Sequence, residues 1–261
     1  MIERPYESIL VALHGTVLRV TLNRPERRNA LGPVMVNELL WALDDATNDD
    51  TVRSVVITGA GKAFCAGGDF SQMGGGADGP KLPPKGGFDD LLLAMWGSTK
   101  PVIARVNGHA MGGGLGLVAA STFAVGSTDA KLGTPEIDVG LFPFMILSVL
   151  ERVMPRRRLV EMLLSGEKMS AEEAQGTGLL NRVVPPEGLD AAVDAYTNMI
   201  ASKSPITLRL GLAALRDTDD LPLKEKLPVL SRRLSDCLAT EDAREGLMAF
   251  LEKRQPKWTG R

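Results

Sequence analysis

Glu136 stands in the run Gly133-Thr134-Pro135-Glu136-Ile137, a carboxylate between apolar neighbours. Such surroundings disfavour the charged form and raise the pKa toward the range where one group can both take and give a proton. Two glycine clusters offer complementary chemistry. Ala66-Gly67-Gly68-Asp69 follows a β-branched stretch, and Gly112-Gly113-Gly114 opens a small apolar run. Glycine lets backbone N–H groups approach a ligand closely, and N–H groups at a helix start carry partial positive charge. Two of them aimed at one oxygen make an oxyanion hole. Each cluster alone reads equally as a tight turn or a close-packing site.

Other candidates are weaker. Asp69 is a second acid, or a residue that holds its own loop. Asp138 shares a face with Glu136 if that stretch is extended and not if it turns. His109, beside a turn, reads as a hydrogen-bonded structural residue. Arg27 and Arg28 are suited to phosphates, with a solvated pair as the default. Met145, Met154, Met162 and Met169 read as core filler or pocket lining. Gly61-Lys62 is not a P-loop, because Val56 stands where glycine is needed and Ala63 replaces Ser or Thr. The spacing Gly74, Gly76, Gly79 matches a dinucleotide fingerprint, but no strand leads into it and Pro80 follows.

The elements that must position these residues follow from hydrophobic period and turn signals. Ser8–His14 and Thr16–Leu22 read as two strands about a His14-Gly15 turn. Gly32-Pro33 opens a helix carrying Val36, Leu39, Leu40 and Leu43. Val52–Thr58 is a strand, Phe64–Asp69 a loop, and Gly74–Gly87 a mobile surface loop that shapes the site. Leu91–Met95 is helical. Pro101–Val106 is a strand turned by Asn107-Gly108-His109, and the run after Gly112 is a closely packed helix. Phe123–Val125 and Ala130–Leu132 are short strands. Helices dominate from Pro143, with a Ser170-to-Glu173 capping box. Glu187–Ser202, Pro205–Arg216, Leu221–Leu238 and Glu241–Lys253 follow as helices. The expectation is an α/β core over 1–195 and a helical region over 196–261.

Composition narrows the function classes. Among 261 residues, Lys plus Arg number 30 and Asp plus Glu 32, so no general polyanion-binding surface is implied and a nucleic-acid role is disfavoured. The densest apolar stretch, Leu141–Leu150, is about half the length a bilayer span requires. Two cysteines, Cys65 and Cys237, cannot make a disulfide framework, and no Cys or His pair has zinc spacing. Two histidines leave little for a Ser-His-Asp machine. The expected compartment is the cytoplasm.

The motifs in order are Asn23-Arg24-Pro25 with Asn29-Ala30-Leu31, then Ala63-Phe64-Cys65-Ala66-Gly67-Gly68-Asp69, then Lys100-Pro101-Val102-Ile103-Ala104 with Asn107-Gly108 and Gly112-Gly113-Gly114. Pro135-Glu136-Ile137, Gly140-Leu141 and the C-terminal Glu241–Gly246 and Phe250–Arg254 complete the series. Their order and spacing resemble the crotonase family, the enoyl-CoA hydratase/isomerase superfamily, over nearly the whole chain. The resemblance implies a spiral of ββα units with a helical C-terminal trimerisation region, assembled as trimers or dimers of trimers. It implies an acyl-CoA thioester as ligand. Gly68 and Gly113 N–H would hold the thioester oxygen, with no metal or redox cofactor, and Glu136 would be the acid/base. Ala66, Asp69 and Phe70 would line the coenzyme A channel, joined by Met111, Pro135 and Leu141. Ala30 and Arg28 would lie by the nucleotide end, and Phe250 and Lys253 would approach the coenzyme A of a neighbouring subunit.

The chain departs from the hydratase pattern at one position. Hydratases of the family carry two glutamates around one water. One matches Glu136, and the other falls on Gly116. The bulky run Phe142-Pro143-Phe144-Met145-Ile146 also replaces a glycine-rich turn. A lone glutamate in a dry pocket suits Δ3,Δ2 double-bond isomerisation, which is slightly favoured. The alternatives are hydration by one glutamate, thioester hydrolysis, or acyl-CoA binding without turnover.

Overall fold

The computed structural model describes residues 4–69 and 81–261. Its first strands, β1 (Ile9–His14) and β2 (Val17–Leu22), pair antiparallel across a turn in which Gly15 takes φ +60°. Helix α1 (Pro33–Asn48) starts at the expected Gly32-Pro33, where proline gives up an N–H that would be unpaired anyway. It buries Met35, Val36, Leu39, Leu40 and Leu43 at helical spacing.

A repeated unit then builds the core. Strand β3 (Ser54–Gly59) is followed by β4 (Ala63–Cys65) and helix α2 (Phe88–Trp96). Strand β5 (Val102–Val106) is followed by β6 (His109–Met111) and α3 (Gly113–Ala119), and β7 (Phe123–Ser127) by β8 (Lys131–Gly133) and α4 (Phe144–Leu150). The first strand of each unit joins one sheet and the second strand joins another. The larger sheet has the order β1-β2-β3-β5-β7-β10, parallel from β2 onward, with β10 spanning Arg182–Val184. The smaller has the order β4-β6-β8-β9, with β9 (Met169–Ser170) antiparallel.

Helices α5 (Arg156–Ser165) and α6 (Ala171–Gly176) follow α4. The capping box at α6 is present: Glu173 N–H donates to Ser170 Oγ at 3.1 Å, and Ser170 N–H donates to Glu173 Oε2 at 2.7 Å. The chain ends in α7 (Leu189–Ala201), α8 (Pro205–Thr218), α9 (Leu223–Leu238) and α10 (Glu241–Leu251).

The middle strands of the larger sheet, β3, β5 and β7, are buried on both faces, as their apolar runs require. Val55, Ile57, Val102 and Ala104 join the main core with α1 to α6, while Val56, Ile103 and Val125 point to the other face and pack on α7. The expected division at 195/196 therefore falls inside α7, a helix that packs on this sheet. Helices α8 to α10 are different. They leave Leu215, Leu227, Leu234, Leu247 and Phe250 exposed.

Three sequence expectations are corrected. Ala63–Cys65 is a strand, not part of an irregular loop, because it pairs with β6. His109 begins that strand rather than closing a turn. The described end of the expected mobile loop, 81–87, is fastened to α1: Asn37 Nδ2 donates to Pro83 O at 3.1 Å, Lys85 N–H donates to Asn37 Oδ1 at 2.6 Å, and Trp41 Nε1 donates to Pro83 O at 2.9 Å. Phe70 and the remainder of that loop to Pro80 lie outside the described residues.

Candidate active site

The two glycine clusters meet because the chain beneath them is tied at several points. Asn29 is fully buried, and its Nδ2 donates to Ala60 O and Ala63 O, each at 2.9 Å. Its Oδ1 accepts from Arg24 N–H at 2.9 Å. Asn107 Oδ1 accepts from Gly59 N–H at 2.9 Å. The 28–31 segment then runs beside the Ala66–Asp69 loop: Leu31 N–H donates to Gly67 O at 2.7 Å, and Asp69 N–H donates to Leu31 O at 2.9 Å. This short parallel bridge uses the groups on either side of Gly68 and leaves the Gly68 N–H with no acceptor among the described residues.

Gly67 lets this loop reach the second cluster. Its φ is +100°, and a Cβ there would lie 3.1 Å from Met111 O. Gly113 is the first residue of α3, so its N–H has no partner within the helix. A Cβ on Gly113 would lie 3.8 Å from Gly68 N. Two N–H groups with no acceptor among the described residues are thus neighbours, and Gly68 is exposed.

Glu136 sits in a 3-10 turn, Pro135–Val139, that follows β8. The segment turns, so Asp138 does not share a face with it. The Glu136 carboxyl lies against Gly112, where φ is +49° and a Cβ would collide with Oε1 and stand 3.1 Å from Cδ. Gly112 is fixed to the same strand end, because its N–H donates to Gly133 O at 3.0 Å. Glu136 Oε2 is buried with no hydrogen-bond partner among the described residues. Burial raises its pKa above the ordinary 4.5, partly offset by a backbone hydrogen bond. An unpaired buried carboxylate oxygen calls for an explanation, and acid/base work supplies one.

A cavity of about 620 Å³ joins these groups. Gly68, Gly113 and Glu136 line it together with Leu31, Pro33, Val36, Phe88 and the Leu141–Ile146 run. Leu141 is therefore at the site as expected. Gly86 and Gly87, from the fastened end of the loop, also line it. Phe88 and Ile146 were not singled out as a pair in the sequence. They cover Gly116, where a Cβ would collide with Ile146 Cγ2 and lie 3.5 Å from Phe88 Cζ. No local pattern signals that contact, since it joins α2, α3 and α4.

The remaining expected residues that the structure describes are not among the lining residues of this cavity. Asp69 is buried and pairs with Arg24 Nη1 at 3.1 Å, so it holds its loop. Arg28 is exposed at φ +50°, and its carbonyl accepts from Ala66 N–H at 3.0 Å. Ala30, Met111 and Pro135 stand beside lining residues without facing the cavity. Phe250 and Lys253 are exposed at the far end of the chain. His109 Nδ1 accepts from Lys131 N–H at 3.1 Å, the structural role expected of it. Among the described residues, no three His, Cys, Asp or Glu side chains converge as a metal ion would require, and no helix is long and apolar enough to cross a membrane.

The family model described as Enoyl-CoA hydratase/isomerase matches residues 13–261. The chain belongs to this family. It is 36% identical over 261 residues to a Mycobacterium tuberculosis protein named "Probable enoyl-CoA hydratase echA8", covering 98% of this chain and 99% of the relative. It is 34% identical over 259 residues to the Escherichia coli 2,3-dehydroadipyl-CoA hydratase, covering 97% and 99%. The crystal structure of a Mycobacterium smegmatis enoyl-CoA hydratase superimposes with a TM-score of 0.89 at 34% identity, over 97% of this chain and 99% of that one. The two sheets and C-terminal helices are thus the crotonase fold, and the chain is an enzyme of the enoyl-CoA hydratase/isomerase family.

Proposed function

We propose that the enzyme binds an enoyl-CoA thioester with its carbonyl oxygen on the Gly68 and Gly113 N–H groups and uses Glu136 as its only acid/base. The observation that carries this reading is the shared cavity wall: two N–H donors and one carboxyl oxygen, none with a hydrogen-bond partner among the described residues. Charge that develops on the thioester oxygen is held by the two donors, which need no reorganisation as it forms. Arg28, Ala30 and Ala66, on the other side of the Leu31–Gly68 bridge, suit the coenzyme A portion. The exposed apolar residues of α8 to α10 support association of copies, with Phe250 and Lys253 reaching a neighbour's coenzyme A.

The relatives' names support hydration. Glu136 then takes a proton from water, the oxygen adds to C3, and the negative charge moves to the thioester oxygen. The protonated Glu136 returns that proton to C2. A second reading, Δ3,Δ2 isomerisation, is favoured by one observation. Gly116 has no side chain, and Ile146 and Phe88 fill the space above it. Glu136 then takes a proton from C2 of a 3-enoyl ester and returns it at C4.

Product mass spectrometry in heavy-oxygen water separates the two. A 2-enoyl-CoA that gains one heavy oxygen establishes hydration. A 3-enoyl-CoA converted to its 2-enoyl isomer without oxygen uptake establishes isomerisation. Release of free coenzyme A would instead identify a thioester hydrolase, and binding without any product would overturn the catalytic reading.

A further inference from the structure

The cavity carries one titratable side chain among its described walls, and that side chain is the acid Glu136. The rest of the lining is aliphatic, aromatic or glycine backbone. No Lys, Arg or His is among the described lining residues. Of the cations near the lining residues in sequence, Arg27 and Arg28 are exposed, and three others are engaged elsewhere. Lys85, next to Gly86, donates to Asp44 at 2.9 Å and stands 4.1 Å over the Trp41 ring. Lys81 pairs with Glu7 at 2.9 Å. Arg24 pairs with Asp69. The charged residues beside Phe88 are acids, Asp89 and Asp90, and Asp90 accepts from Gly87 N–H at 2.8 Å. By sequence, residues 70–80 contain no Lys, Arg or His either, and one acid, Asp78.

We infer that the acyl end of the substrate is uncharged and apolar, and that the enzyme discriminates against esters with a terminal carboxylate. This rests on the reading that a thioester is held at Gly68 and Gly113. With the carbonyl there, a short acyl chain runs into the space walled by Val36, Phe88, Phe142 and Ile146. A carboxylate at its end would lose water without gaining a cation or a hydrogen-bond donor side chain, and it would share the space with Glu136. An unpaired charge moved into such surroundings loses several powers of ten in affinity.

The test compares two saturated esters of equal carbon number, hexanoyl-CoA and adipoyl-CoA, by titration calorimetry on the full chain. Because neither can be hydrated or isomerised, the result does not depend on which of those two reactions the enzyme performs. Hexanoyl-CoA is expected to bind at least about a hundredfold more tightly. Met145 lines the cavity and is half exposed, so Met145→Arg can place a cation at the rim without burying it. That variant is expected to narrow the gap at least about tenfold, while Met145→Leu leaves it in place. Equal binding of the two esters by the wild type, or a gap that Met145→Arg does not narrow, overturns the inference alone. Failure of both esters to bind overturns the thioester reading together with the inference built on it.

Discussion

Ile146 occupies the space that a side chain on Gly116 would need. Its Cγ2 would collide with a Cβ there, and its own Cβ would stand 3.2 Å away. Ile146 is 2% exposed and belongs to the main core, so it has little room to retreat. Gly116→Ala is therefore expected to lower stability by about 1–3 kcal/mol, the usual cost of overpacking. Ile146→Ala alone should cost about 2–5 kcal/mol by opening a cavity. Combined, the two changes should cost at least about 1 kcal/mol less than their sum, because each relieves the other. Denaturant unfolding of the four proteins measures this, and strictly additive losses would show that the two residues are not in contact.

The order of elements was legible because it rests on local signals. The Gly32-Pro33 helix start, the Ser170 capping box and the alternating strands of the larger sheet each declare themselves within a few residues. Of the smaller sheet only β8 did, overlapping the expected Ala130–Leu132, because the strands run two or three residues and take their identity from pairing rather than pattern. The site divides the same way. That Gly68, Gly113 and Glu136 belong together, as their shared cavity wall has them, was readable from residue type and motif spacing. The plug of Phe88 and Ile146 over Gly116 was not, since it depends on three helices meeting. Asn29 was visible in a motif, but its role in clamping the turn after β3 appears only once Ala60 and Ala63 are brought beside it.

The half-buried carboxyl of Glu136 sets a pH dependence with a definite sign. Its pKa in the folded protein is raised above 4.5 by burial. Working as a base requires the ionised form, so the acid limb of kcat/KM should lie above pH 4.5. Glu136→Gln should lose that limb and at least about a hundredfold in kcat. The same shift acts on stability. The folded state holds this proton more tightly than the unfolded state, so the wild type loses stability relative to Glu136→Gln as pH rises from 4.5 through the folded pKa. Rate profiles and unfolding of both proteins across that range check it. A limb at or below 4.5 would remove burial as the controlling effect.

The two N–H donors differ in what a methyl group would meet. A Cβ on Gly113 would lie 3.1 Å from Leu31 Cδ1 and 3.8 Å from Gly68 N, between the donors. A Cβ on Gly68 would meet nothing within 4 Å among the described residues. Gly113→Ala is expected to reduce kcat/KM by about a hundredfold to a thousandfold, the effect of losing an oxyanion donor. Gly68→Ala should cost less than about tenfold. Steady-state kinetics on one enoyl-CoA decides, and equal losses would mean that the oxygen does not sit between these groups.

Cys65 offers a chemical probe of the same packing. It is fully buried, and burial pushes its thiol up to about 12. Cys237 is only partly buried. Since the thiolate is the reactive form, a thiol reagent at pH 8 should modify Cys237 in the native protein and reach Cys65 only on unfolding. The location sharpens the expectation. A Cβ on Gly114 would stand 2.6 Å from Cys65 Cβ, so β4 and α3 leave no room for an adduct between them. Modification of Cys65 would have to separate the strand that leads to Gly68 from the helix that begins at Gly113. Activity should therefore survive labelling of Cys237 and vanish in step with labelling of Cys65. Mass spectrometry paired with an activity time course reads both events, and full activity after Cys65 has been labelled would show that the two glycine clusters do not depend on this contact.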